Sequence, residues 1–336
     1  MLIIGIKDKQ LSPQERDWIR APQVSGVILF KRNFDSRDQV GELIAEIRAA
    51  RAEPLLVCVD QEGGPVQRFH GEFTRLPALA RIGEVYARDP QRALELAGEH
   101  AWLMASEMRA IDIDLSFAPV LDLAICNVIV GERAFHADPK IVSDLGVEYV
   151  RNMRLAGMAA TIKHFPGHGS VREDTHLEPA IDRRCLDAIR DTDMVPFADA
   201  IAAGAEAVMM GHVTYPDVDA LPAGYSPLWI REILRGELGF GGVVFSDDIS
   251  MAAAESAGGI GARIAAHCDA GCDIVLVCKP EIVPEALAAC RDAGACDLDV
   301  IETLRGRVAP TWQALVENPQ RARFAARLTA LEAITA

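Results

Sequence analysis

Short apolar runs rich in β-branched residues recur along the chain: LIIGI (2–6), GVILF (26–30), LLVCVD (55–60), IDLSFAPVLD (113–122), AATIKHF (159–165), AVMMGHV (207–213), GVVFSDD (242–248) and DIVLVC (273–278). Each is nearly continuous in its apolar character, as expected of strands buried on both faces. The segments between them follow another period. RDQVGELIAEIRAARA and PQRALELAGEHAWLMASEMRAI carry apolar residues at three- and four-residue intervals, which predicts amphipathic helices. Strands alternating with such helices predict a parallel sheet covered on its outside, and eight repeats predict a closed (β/α)8 barrel of TIM type rather than an open doubly wound sheet. The first run is short and the fourth irregular. PEALAACRDAG and RARFAARLTALEAI predict additional helices at the C-terminal end. With no linker rich in Gly, Ser or Pro, residues 1–336 are expected to form one catalytic domain.

The polar positions add a direction. DQEGGPVQR follows the third run, KHFPGHG ends the fifth, GHVTYP ends the sixth and SDDISM ends the seventh. All lie at strand C-terminal ends, where barrel enzymes gather their chemistry, whereas the opposite ends read as ordinary Gly and Pro turns. This asymmetry points to an enzyme.

Charge and composition narrow the partners. Lys and Arg total 34 against 49 Asp and Glu, a net −15, which disfavours a polyanionic nucleic-acid partner. The start, MLIIGIKDKQ, has five apolar side chains before Lys7, too few for a secretory core, and no run approaches the ~20 residues needed to span a bilayer. A cytoplasmic protein without membrane contact is expected, acting as a monomer. The eight cysteines, several inside apolar runs, then read as reduced thiols; Cys268 and Cys272 lack a second pair that would complete a metal knuckle.

The rim residues allow several chemistries. His164 and His168 have the i, i+4 spacing of helical metal ligands, but Pro166, Gly167 and Gly169 disfavour a helix there. A barrel metallohydrolase would also be expected to place histidines at the end of the first strand, where GIKDKQ has none. No Gly-x-Ser-x-Gly elbow is present, and SAGGIGARIA reads as a helix start or loose turn rather than a phosphate loop. Carboxylate chemistry fits better. Asp247 and Asp248 end a buried strand, and period-two alternation sends one to the mouth and the other toward a structural role. A carboxylate at the mouth can attack an anomeric carbon. In EDTH, Asp174 and His176 are two apart; on an extended loop the carboxylate can orient the imidazole for proton transfer, or both can simply meet water.

KHFPGHGSVREDTH, VDQEGGPVQRF, APVLDL, GERAFHADP, VMMGHVTYP and FSDDISM, in their order along residues 2–280, resemble the family 3 glycoside hydrolases, and within them the bacterial cytoplasmic β-N-acetylglucosaminidases of peptidoglycan recycling. The resemblance implies a retaining exo-glycosidase on a (β/α)8 barrel that needs no cofactor or metal. It implies Asp247 as nucleophile and His176, partnered by Asp174, as proton donor and acceptor. Sugar-binding roles carry over to Asp60, Arg68, Arg133, Lys163 and His164. The implied substrate is a muropeptide fragment, N-acetylglucosamine joined to anhydro-N-acetylmuramic acid with or without peptide. Some members with an Asp–His dyad transfer the sugar to phosphate instead of water, and a non-catalytic sugar-binding barrel is a further alternative. Pro65 stands where the family usually has Arg, in the turn that leads to Arg68. His168 is expected to shape its loop rather than to react.

Overall fold

In the computed structural model, which describes residues 1–126, 130–171, 180–292, 294–307 and 310–333, every one of the eight apolar runs contains a strand. They are β1 (Leu2–Gly5), β2 (Val24–Leu29), β3 (Leu56–Val59), β4 (Leu115–Ser116), β5 (Thr161–Phe165), β6 (Ala207–Met210), β7 (Val243–Asp248) and β8 (Ile274–Val277). Their order in the sheet is β4-β3-β2-β1-β8-β7-β6-β5, and neighbouring strands are parallel. The remaining seam closes beyond the short β4. Leu121 N donates to Lys163 O (2.8 Å), Lys163 N to Pro119 O (3.2 Å) and Thr161 N to Ala118 O (2.9 Å). The fold is thus the (β/α)8 barrel that the alternating pattern predicts.

The irregular fourth run departs from a single long strand. Only Leu115–Ser116 pairs with β3, and the chain then turns through a cis Ala118–Pro119 peptide to reach β5. Two small hairpins, unmarked in the apolar pattern, also stand above the strand ends: Gln61–Gly63 with Val66–Gln67, and Thr214–Tyr215 with Asp219–Pro222.

Alternation along the strands divides the core in two. Ile3, Ile28, Leu56, Cys58, Leu115, Phe245 and Leu276 face inward and pack together, with Phe117 and Phe245 edge to face at 5.3 Å. Their sequence neighbours Leu2, Ile4, Val27, Leu29, Val57, Val59 and Val244 face outward against the helices. Burial on both faces explains why the strands are apolar throughout.

The helices include α1 (Pro13–Arg20), α2 (Arg37–Ala49), α3 (Leu79–Tyr86), α4 (Pro90–Arg109), α5 (Pro139–Leu155), α6 (Leu186–Arg190), α7 (Met194–Ala202), α8 (Ile260–Ala270) and α9 (Val283–Ala289). Ser12, Ser36 and Asp89 cap the starts of α1, α2 and α4 by accepting main-chain N–H bonds. Further C-terminal helices follow, α10 (Leu298–Leu304), α11 (Trp312–Glu317) and α12 (Pro319–Ala333). The last is held against α4 by Trp102 and Phe324, edge to face at 5.5 Å, and by Arg321–Glu107 and Arg327–Glu99 pairs at 2.8 and 2.5 Å. Among the described residues no helix is long and apolar enough to cross a membrane. The cysteines are free thiols.

The lower end of the barrel is less ordinary than its Gly and Pro turns suggest. Asp114, just before β4 and 1% exposed, pairs with Arg48 (2.7 Å) and accepts from the main-chain N–H of Val57 and Gly306. Arg109 lies beside it, donating to Ile113 O and Arg307 O. Every bond of this cluster ties one piece of chain to another, which marks it as a structural clamp.

Buried histidines make the fold sensitive to acid. His100 on α4 donates from Nε2 to Pro77 O (3.1 Å) and accepts at Nδ1 from the Tyr149 hydroxyl (3.0 Å), and burial lowers its pKa from 6.5 to about 4. Burial lowers His267 on α8 to about 3. Below pH 6.5 the unfolded chain binds protons that the folded one does not. Stability is therefore expected to be full above pH 6.5 and to fall as the pH drops toward 4, His100 alone contributing on the order of 3 kcal/mol. Melting temperatures measured across this range should show the decline, and His100→Gln should flatten it; parallel profiles for the two proteins would contradict the assignment.

Candidate active site

The inward phase that fills the barrel with apolar side chains continues past the strand ends, where it delivers charge. Above Cys58 the next inward position is Asp60; above Thr161 it is Lys163; above Phe245 it is Asp247. All three line one cavity of about 610 Å³, together with Arg68, Arg133 and His164. The structure thus brings together six of the eight site residues that the sequence singled out. Asp174 and His176 lie outside the described residues.

A buried ion lattice forms the floor of one side. Lys163, 2% exposed, reaches Asp60 Oδ1 (3.0 Å) and Glu62 Oε1 (2.5 Å). Arg133 meets Glu62 as a fork, Nε to Oε2 and Nη2 to Oε1, both at 2.8 Å. Burial pushes the carboxyl groups of Glu62 and Asp60 up, but the adjoining cations outweigh it. Arg133 and Lys163 hold Glu62 far below the usual carboxylate range, and Lys163 and Arg68 hold Asp60 below its own. Burial likewise opposes the charges on Lys163 and Arg133, and the carboxylates overcome it, raising both. All four groups are therefore ionised, with two positive and two negative charges compensating one another at the cavity floor.

His164 is aimed by a different carboxylate. Its Nδ1 donates to Asp122 Oδ2 (2.7 Å), leaving the other ring nitrogen for the cavity. Asp122 is fully buried and also accepts from the main-chain N–H of His164 (3.2 Å) and His168 (2.7 Å). Burial pushes Asp122 up, and His164 with these bonds brings it below the usual value. His168 is 6% exposed, and burial lowers its pKa to about 4, so its ring is neutral near pH 7. Its main-chain N–H ties the loop to Asp122.

Arg68 reaches the cavity from the first hairpin. Gly63 and Gly64 have φ of 100° and 54°, and a Cβ at Gly63 would come within 2.8 Å of His100 Nε2, so glycine is required for the turn. Pro65 occupies the turn itself and lines the cavity, yet Gln61 still fixes the return strand by accepting from the N–H of Arg68 and Phe69, both at 3.0 Å. The Arg68 guanidinium lies 3.4 Å from Asp60 Oδ2 and 5.5 Å from the Phe30 ring centroid.

Asp247 and Asp248 both line the cavity, and Asp248 is also tied into the turn that follows. Asp248 accepts from Ser250 N (3.0 Å), Ser250 Oγ (2.5 Å) and Cys278 N (3.2 Å), pinning the turn after β7 to the end of β8. Asp247 lies at the cavity wall, with Oδ1 accepting from Asp248 N at 2.8 Å. A carboxylate sharing a cavity with these oriented polar groups suits attack on an electrophilic carbon of a polar, uncharged ligand.

Comparison with known proteins converges on one family. Residues 2–310 match the model of the glycosyl hydrolase family 3 N terminal domain. The chain belongs to glycosyl hydrolase family 3. Within that family it is 59% identical over 318 residues to a beta-hexosaminidase of Stenotrophomonas maltophilia (strain R551-3), covering 95% of each chain. It is 53% identical over 328 residues to a beta-hexosaminidase of Xylella fastidiosa (strain 9a5c), covering 98% of each. Its structure is similar to NagZ from Neisseria gonorrhoeae in complex with N-trifluoroacetyl-D-glucosamine, with a TM-score of 0.91, 38% identity, and coverage of 98% of this chain and 97% of that one. This family 3 member is thus an enzyme, a glycoside hydrolase of the β-hexosaminidase group.

Two functional residues escaped the sequence reading. Glu62 sits inside DQEGGPVQR and Asp122 inside APVLDL, both quoted stretches, but their partners come from other parts of the barrel. The lattice makes Glu62 testable. Glu62→Gln would leave two buried cations facing one carboxylate and is expected to cost about 3–5 kcal/mol of stability, with a large loss of kcat/KM. Denaturant unfolding and steady-state kinetics check this; a variant as stable and active as the parent would show the lattice to be dispensable.

Proposed function

We propose that this family 3 enzyme removes a terminal, non-reducing β-linked N-acetylglucosamine from muropeptide fragments, N-acetylglucosamine joined to anhydro-N-acetylmuramic acid with or without peptide. The reading carries with it a place in peptidoglycan recycling, in the cytoplasm and as a monomer, with residues 1–336 acting as one catalytic domain. Its main support is the cavity in which Asp247 meets the Asp60–Lys163–Glu62–Arg133 lattice. Asp60 can accept from sugar hydroxyls, while Arg68, Arg133, Lys163 and His164 can donate to hydroxyls and to the N-acetyl carbonyl. The relatives' name and the sugar bound by the gonococcal NagZ agree with that specificity.

The reaction proceeds by double displacement. An Asp247 carboxylate oxygen attacks C1 of the sugar, the bond from C1 to the leaving oxygen breaks, and His176 gives that oxygen its proton. Asp174 fixes the imidazole and balances its charge. In the second half, His176 takes a proton from water as the water oxygen attacks C1, and the ester to Asp247 breaks. The roles of Asp174 and His176 rest on the sequence motif.

A panel of chromogenic glycosides, assayed with and without phosphate, tests sugar and acceptor together. The expected result is rapid hydrolysis of the β-N-acetylglucosaminide with no acceleration by phosphate; a phosphate-dependent rate would make the enzyme a phosphorylase. Trapping with a fluorinated N-acetylglucosamine donor followed by peptide mapping should place the ester on Asp247, and Asp247→Asn should lower kcat by about 10³-fold or more. A label elsewhere would overturn the nucleophile assignment.

A further inference from the structure

We infer that His212 is a positioning residue for the nucleophile, acting from behind the barrel wall through the main chain of Asp248. This rests on the reading of Asp247 as the attacking carboxylate. His212 follows β6 in the opposite phase from the cavity. Met209 faces inward and Met210 outward; Gly211 then faces inward and His212 outward. Gly211 presents no side chain beside His164, whose Cβ lies 3.4 Å from the position a Cβ would take. His212 is 2% exposed and is not among the residues lining the cavity.

Its ring instead reaches the neighbouring strand end. Nε2 lies 3.3 Å from the carbonyl oxygen of Asp248. A carbonyl can only accept, so Nε2 carries the proton and the tautomer is fixed. Burial lowers the pKa of His212, which keeps this neutral form in place near neutral pH. The carbonyl it holds belongs to the residue whose N–H donates to Asp247 Oδ1 at 2.8 Å. Asp248 is thereby fixed on three sides: its side chain by Ser250 and Cys278, its N–H by Asp247 and its carbonyl by His212.

The imidazole is itself wedged. Tyr225 and His267 lie against it with ring centroids 6.2 and 5.6 Å away. Tyr225 donates to Ala254 O (2.8 Å), in the 3-10 turn that follows the Asp247–Asp248 corner, and His267 of α8 donates from Nδ1 to Gly224 O (2.8 Å). Three aromatic rings pinned to main-chain carbonyls thus back the strand end that presents the nucleophile. Misplacement of a reacting group by about 1 Å can cost on the order of 10²-fold in rate, so this support belongs to the chemical step rather than to sugar binding.

The test exploits the geometry of the two amide replacements. Glutamine places its N–H near the position of Nε2, whereas asparagine reaches only the position of Nδ1. His212→Gln is expected to keep kcat within about 10-fold of the parent and His212→Asn to lose about 100-fold, with KM and the affinity for N-acetylglucosamine changed less than about 2-fold in both. The rate constant of trapping by the fluorinated donor should fall in parallel with kcat. Equal losses in the two variants, the reverse order, or a rise in KM with kcat unchanged would each overturn the proposal. Labelling of Asp247 in the parent protein decides the nucleophile assignment separately, so a failed variant series and a wrong nucleophile give different results.

Discussion

The structure of the site depends on Glu62. This carboxylate is 2% exposed and carries two cations, Lys163 from the end of β5 and Arg133 from the segment after β4. Removing it would leave both buried cations undercompensated. Lys163 in turn engages Asp60, and Arg68 joins the same carboxylate from the hairpin above β3. One buried acid therefore sets the spacing among side chains delivered by separate parts of the barrel. The arrangement presents donors and an acceptor to the cavity with most of the buried charge compensated beneath the ligand, which suits a neutral sugar.

The two ends of the barrel use buried charge differently. Around Asp114 and Arg109, the partners are main-chain groups and the neighbouring Arg48, and the bonds close on themselves. At the upper end, Arg68, Lys163 and His164 are each anchored by a carboxylate yet face a cavity. The first pattern ties chain to chain; the second keeps polar groups oriented before a ligand arrives. Pre-orientation of this kind lowers the reorganisation needed when charge develops during bond cleavage.

Much of this was legible in the sequence because its causes are local. Burial on both faces makes each strand an apolar run, and each run did hold a strand. The inward phase then fixes which strand-end residue faces the mouth, as for Asp60, Lys163 and Asp247. What stayed hidden depends on distant partners or on turns. The run 113–122 looked like one strand, but it turns at Ala118–Pro119 and completes the barrel by pairing with β5. Glu62 and Asp122 gave no local sign of their roles, since a carboxylate is recognisable as a clamp only when its cations are in place. The buried Asp114 cluster likewise joins residues far apart in the chain, at an end that read as ordinary Gly and Pro turns.

The proposed function turns on one claim: Asp247 attacks the sugar from the cavity wall and is displaced in turn by water. Stereochemistry tests that claim most directly. Proton NMR of the first sugar released from a β-N-acetylglucosaminide, recorded before mutarotation, reports the configuration at C1. Two displacements should release the β-anomer first. Initial release of the α-anomer would mean a single displacement by water, and Asp247 could not then be the nucleophile.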